Sequence, residues 1–226
     1  MKYENLEKYV SPPRLDRYLI ACRNQKLKSK KLYRANLRIA QAFYPVMNLF
    51  EIVLRNKIHE ELSLYFSNPN WIIVEKNGFM NDSTLRPSRF FLKNQVIKAE
   101  NKIIRRRLVV SVGKVIAEQN FGFWTTLFEP HHYRLIGGSI INCFPNKPAN
   151  VNRSTISVKL QNIRDFRNRI YHNEPICFNG RNIDFSKAEN IKDDLIELLS
   201  WIDDSVKVYV KKYDNIQNKI EIGKRI

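Results

Sequence analysis

The stretch PVMNLFEIVLRNKIHEELSLYF, residues 45–66, constrains the fold more than any other. Met47, Phe50, Leu54, Ile58, Leu62 and Tyr65 recur at helical spacing, and Val46, Leu49 and Val53 widen the stripe. A helix apolar over so much of its circumference belongs at the centre of a fold, enclosed by other elements. The flanking sequence predicts those elements to be helices too. Ser11, Pro12 and Pro13 read as a capped helix start, with the helix running to about Asn24. KLKSKKLYR reads as a basic linker into a second helix, and Pro45 is expected to break or kink it.

Beyond the central helix, Ser67 to Pro87 reads as a loop-rich insertion. A basic helix is expected from Ser88 to about Val110, with an interruption at Gly113. FGFWTTLFEP suggests a short aromatic helix ended by Pro130, and residues 140–152 read as a loop. Asn152 or Ser154 is placed to cap the helix that follows. Ser186 and Glu189 have capping-box spacing. Behind them Ile191, Leu195, Leu198, Ile202, Val206, Tyr209 and Tyr213 form the most regular amphipathic stripe in the chain. Strand alternation of useful length, tandem repeats and low-complexity tracts are not seen. The expectation is an all-α bundle of about seven helices in a single domain over residues 1–226. Its last parts would be a long helix over 186–215 and a basic tail over 216–226.

Charge narrows the partners. Lys and Arg number 39 against 22 Asp and Glu, a net +17, which attracts polyanions. Nucleic acid is the first candidate and an anionic membrane surface the second. Seven glycines argue against a glycine-rich phosphate loop and against a turn-dense all-β fold. Cys22, Cys143 and Cys177 are distant and odd in number, which suggests reduced thiols. The first residues lack a signal-type apolar core, and no uncharged apolar run approaches spanning length. The chain reads as soluble and cytoplasmic, with no membrane partner.

RDFRNRIYHNEP, residues 164–175, carries the candidate chemistry. Ile156, Leu160, Ile163 and Ile170 form the core stripe of its helix, and Arg167 falls inside that apolar arc. Arg164 and Asn168 lie to one side. Arg167 and His172, five residues apart, point about 140° apart on an ideal helix. Two routes would unite them. Pro175 disfavours a helical Glu174, which could open the last turn and swing His172 round. Alternatively, a twofold interface would set each motif beside its copy. Spacing alone reads as a snorkelling Arg and a solvated helix-end His.

The motif resembles the Arg-x4-6-His element of HEPN-domain ribonucleases, in the form found in Abi-like (abortive infection) bacterial proteins. SPPRLDRYLIAC resembles the opening helix of that family. LYRANLRIAQAFYPVMNLFEIVLRNKI resembles its long central segment, with Glu51, Arg55 and Asn56 at the Glu-x3-Arg-Asn element, and FGFWTTLF resembles its aromatic segment. The likeness spans residues 11–175. Asn173 departs from it, standing where many relatives carry a second His. The resemblance implies a HEPN-like fold and a metal-independent endoribonuclease acting as a homodimer in anti-phage defence or toxin action. Arg167 and His172 would be catalytic, and Asn168 would orient the imidazole. A neutral imidazole suits removal of a 2′-OH proton near neutral pH, and a guanidinium suits a phosphate gaining charge.

Glu51, Arg55 and His59 stand at i, i+4 steps, as a structural ion-pair row or as support for the catalytic pair. Lys98, Lys102, Arg105, Arg106, Arg107 and Arg164 are candidate RNA contacts, and Lys26 to Arg34 is a second basic segment. His131 and His132 point apart and lack the further ligands of a metal set, so neither metal nor cofactor is expected. The rival readings are a non-catalytic protein that holds a structured small RNA, and one half of a toxin–antitoxin pair restrained by an antitoxin protein.

Overall fold

A computed structural model describes all residues from Met1 to Ile226. It is mostly helical, as the periodicities require. In chain order the helices are α1 (Tyr3–Val10), α2 (Pro12–Ala21), α3 (Lys26–Tyr65), α4 (Trp71–Val74), α5 (Phe91–Arg105), α6 (Val112–Glu118), α7 (Phe121–Thr126), α8 (Pro130–Leu135), α9 (Arg153–Tyr171), α10 (Ser186–Ile202), α11 (Asp204–Lys211) and α12 (Ile216–Lys224). A two-residue hairpin, β1 (Phe178–Asn179) and β2 (Asn182–Ile183), pairs antiparallel between α9 and α10. Contacts divide the chain into two compact units. One comprises Met1–Asn48, Asp165–Glu197 and Lys207–Ile226, the other Leu49–Arg164 and Leu198–Val206.

The first correction concerns α3. KLKSKKLYR is its first turns and not a linker, and Pro45 lies inside a helix of 40 residues. A proline there removes one backbone donor and costs ~3 kcal/mol. Phe43, Val46 and Phe50 around it are fully buried. At about 1.5–3 kcal/mol for each buried apolar side chain, packing outweighs the missing bond. Because Pro45 does not end the helix, α3 is long and apolar enough to cross a bilayer by length and composition alone. Ile39, Phe43, Phe50, Leu54, Ile58 and Leu62, however, are buried within the protein.

Other boundaries move for identifiable reasons. The 67–87 insertion contains α4 and two short 3-10 turns, which bury Trp71, Ile72, Met80 and Leu85. Helix α5 starts at Phe91 because Arg89 and Phe90 are both left-handed. It ends where Arg107 turns left-handed and Leu108 N–H donates to Ile103 O. Gly113 interrupts nothing and sits within α6. Pro130 opens α8 as its first residue, a position where its missing N–H is harmless. The long helix expected over 186–215 stops at Ile202, because Asp203 Oδ1 accepts from Ser205 N–H at 2.7 Å and caps a new helix, α11. At the start of α10, Asp184 Oδ1 takes the Ser186 N–H at 2.6 Å, while the Glu189 carboxylate binds Lys224 at 2.7 Å. The expected Ser186–Glu189 box is therefore replaced by an Asp184 cap and a tertiary ion pair.

In the first unit, Tyr18 of α2 meets the rings of Tyr33 and Phe178 edge-on at 5.3 and 5.2 Å. Arg17 Nη2 donates to Gly180 O in the hairpin turn at 2.8 Å. Residues 216–226 are no loose tail, since Ile216 and Ile220 are fully buried. Gly223 makes that packing possible. A Cβ there would stand 3.0 Å from the Phe185 ring and 3.4 Å from Ile39. In the second unit, Phe50 packs edge-on to Phe121, and Asn146 N–H donates to Trp201 O at 2.9 Å.

Candidate active site

Helix α9 is capped as its sequence predicts, with Asn152 Oδ1 accepting from Thr155 N–H at 3.1 Å. Ile156, Leu160, Ile163 and Phe166 are buried on one face, and Phe166 meets Phe43 edge-on at 4.9 Å. The helix closes in a Schellman turn. Glu174 N–H donates to Arg169 O at 2.8 Å, Asn173 N–H to Ile170 O at 3.0 Å, and Asn173 is left-handed at φ 55°. Asn is one of the few non-glycine residues that tolerate that conformation. The residue type at position 173 is therefore constrained by the backbone.

His172 N–H still donates to Asn168 O at 2.9 Å, so the last turn does not open. Arg167 and His172 stay on faces about 140° apart, and the route by which Pro175 swings His172 round is overturned. The side chain of His172 is exposed, as is that of Asn168, whose bond to His172 runs through the backbone. Arg167 is half-buried, and its guanidinium carbon lies 4.5 Å from the centre of the Tyr171 ring. Tyr171 was missed as a site residue. Its i+4 spacing from Arg167 was the available signal, because an exposed aromatic one turn away can hold a guanidinium by cation–π attraction.

The helix end is pinned from several sides. Arg169 donates to Pro175 O and pairs with Glu174 at 3.5 Å. Arg14 Nη1 reaches Asn173 O at 3.4 Å. Asn36 of α3 is buried, and its Oδ1 accepts from Ile176 N–H at 2.8 Å. Replacing Asn36 with Leu strands that N–H in the interior, at an expected loss of about 1–3 kcal/mol. Chemical denaturation would show it, with amide exchange at Ile176 accelerated relative to distant sites. An unchanged midpoint would mean that the bond contributes nothing.

The remaining predicted residues separate by environment. Arg164 Nη1 donates to Thr125 Oγ1 at 3.1 Å, a bond that ties α9 to α7 within the second unit. Glu51, Arg55 and His59 are half-buried in the second unit. His59 does not continue an ion-pair row. Its Nδ1 accepts from Trp71 Nε1–H at 3.0 Å, and burial lowers its pKa, which keeps the ring neutral. Arg55 Nε is buried without a hydrogen-bond partner.

On α5 and in the turn that ends it, Lys98, Lys102, Arg105, Arg106 and Arg107 are exposed, but Lys102 and Arg106 share the Glu118 carboxylate. These two cations hold that carboxyl below its usual range, the Lys102 hydrogen bond being the largest cause. All three cysteines are buried free thiols, and burial pushes Cys177 up to about 12. They are not poised as nucleophiles.

No family model, curated protein or solved structure matches the chain. The functional reading therefore rests on the chain's own residues and on the motif resemblance.

Proposed function

We propose that this chain is a metal-independent endoribonuclease of the HEPN type with a HEPN-like bundle, acting as a homodimer in anti-phage defence or toxin action. The observation that carries the reading is the exposed imidazole of His172 at the pinned end of α9, one and a half turns from an Arg167 held against Tyr171. In this reading His172 removes the 2′-OH proton, and the 2′-oxygen attacks the adjacent phosphorus. Arg167 stabilises the charge gathering on the phosphorane oxygens. The partner subunit's His172 protonates the departing 5′-oxygen. The products are a 2′,3′-cyclic phosphate and a 5′-hydroxyl.

The 140° divergence within one chain favours completion of the site by a second copy. Light scattering at micromolar concentration is expected to give a dimer, with α9 protected from amide exchange on dilution-sensitive association. A strict monomer, with or without RNA, sinks the shared-site mechanism. The activity itself is tested by incubating the purified protein with total RNA in the presence of chelator and mapping the ends. Cyclic phosphates that persist under chelation support the reading. Intact RNA that is nonetheless bound would favour a non-catalytic RNA holder.

A further inference from the structure

A groove in the first unit lies between α3 and α12. It is lined by Lys31, Arg34, Ala35 and Arg38 from α3, by Lys219 and Ile222 from α12, and by Ile226. We infer that this groove, whose lining includes no residue of the Arg167/His172 motif, binds the phosphodiester backbone of a single nucleic-acid strand.

The geometry starts with helix periodicity. Lys31, Arg34 and Arg38 fall within an arc of about 60° on α3 and extend over roughly 10 Å of its axis. They make a row of positive charge along the helix and do not converge on one point. A row suits successive phosphates of a strand better than a single free anion. Gly223 lets α12 pack closely on Phe185, where a Cβ would stand 3.0 Å from the ring, with Ile39 of α3 in ordinary contact beside it. Lys219 of α12 lines the same groove.

What marks these four cations is their shared placement along one groove. Several cations elsewhere are held by carboxylates, as Lys26 is by Glu4, Lys102 and Arg106 by Glu118, and Lys224 by Glu189. Lys31, Arg34, Arg38 and Lys219 take part in no ion pair, and no Asp or Glu lines the groove. Four unpaired cations facing one another repel, and a bound polyanion removes that repulsion. Two guanidiniums can each hold phosphate oxygens through two N–H groups, and the lysines act as point charges. No aromatic ring lines the groove, so bases have no stacking platform and recognition is expected to be independent of sequence.

The inference shares with the proposed function only the expectation that the ligand is nucleic acid. Its test uses a 2′-O-methyl RNA strand of about 12 nucleotides, which cannot undergo 2′-OH attack, so a failed cleavage assay leaves it untouched. Affinity by fluorescence anisotropy is followed against salt for the wild type, for Arg34→Gln/Arg38→Gln/Lys219→Gln, and for Arg181→Gln/Lys187→Gln/Lys211→Gln as a control that removes the same charge outside the groove. At about 0.7 counterions per phosphate contact on single strands, the groove variant should lose about 2 from the salt slope. That corresponds to a loss of affinity on the order of 10²-fold at 0.1 M salt. The control should change the slope far less. Lys219 is half-buried and the other five side chains are exposed, so circular dichroism should show the folds intact. An unchanged slope in the groove variant, or equal changes in both variants, overturns the inference. So does polyglutamate that displaces the strand as well as unlabelled oligonucleotide does, since the groove would then read charge and not a phosphodiester chain.

Discussion

His172→Ala is expected to abolish RNA cleavage while leaving the fold and most RNA binding intact. The side chain is exposed and makes no packing contact that the helix end depends on; the Schellman turn is built from backbone groups of residues 169–174. Loss of a general acid–base typically lowers the rate by about 10²–10⁴. Arg167→Ala should lose about 10²–10³, the usual effect of removing one group that stabilises transition-state charge. Arg167→Lys should recover little, because an ammonium lacks the planar fork and stacks poorly on Tyr171. Tyr171→Leu gives an intermediate case. If the ring only positions the guanidinium, RNA affinity should hold while turnover falls. Wild-type cleavage by His172→Ala would leave the motif with a structural role and favour the RNA-holding alternative.

The second large effect is on stability and lies in the other unit. His132 is 2% exposed, neither ring nitrogen has a hydrogen-bond partner, and burial lowers its pKa to about 4. Neighbouring His131 pushes in the same direction, while the Glu129 carboxylate 3.9 Å from Nδ1 is too distant to reverse the shift. The unfolded chain takes up this proton near pH 6.5, and the folded one only near pH 4. The folded state is thus favoured in full above pH 6.5 and loses that advantage as the pH falls through the window, by up to about 3 kcal/mol. His59, also lowered by burial, contributes in the same sense. His132→Leu should therefore flatten most of the acid limb of stability between pH 6.5 and 4. At pH 7 it should be neutral or stabilising, because two unpaired buried nitrogens disappear. Urea midpoints across that range decide the matter. An acid limb as steep in His132→Leu as in the wild type would show that the ring is not held neutral.

Side-chain period proved the most legible part of the sequence, and backbone detail the least. The stripe of α3 from Met47 to Leu62 is buried as its spacing requires, and so are Ile156, Leu160 and Ile163 of α9, while Ile170 at the end of that stripe is only half-buried. Tyr65, Tyr209 and Tyr213, at the ends of their stripes, are exposed. Tertiary contacts decided the points that periodicity left open. Pro45 reads locally as a breaker, but the helix continues because the packing around it outweighs one lost hydrogen bond. Left-handed Arg89, Phe90 and Arg107 set the ends of α5, and none is glycine, so no residue type announced them. At the site, the types and the helix were legible, and so was the divergence of Arg167 and His172. Tyr171 and Asn36 were not singled out. One acts through an exposed ring and the other through a bond spanning 140 positions, and a single sequence marks neither.

The packing of α12 bears on how the protein tolerates trimming. Ile216 and Ile220 fill the interior, and Gly223 lies against Phe185 and Ile39. A protease nick or an early stop near Asn215 would do more than remove a basic appendage. It would uncover a strip of isoleucine and phenylalanine on α3 and at the head of α10, and bare apolar strips of that kind drive self-association. The chain's last turns thus serve as a solubility device, and the penalty for losing them would be felt as clumping before it was felt as a change in chemistry.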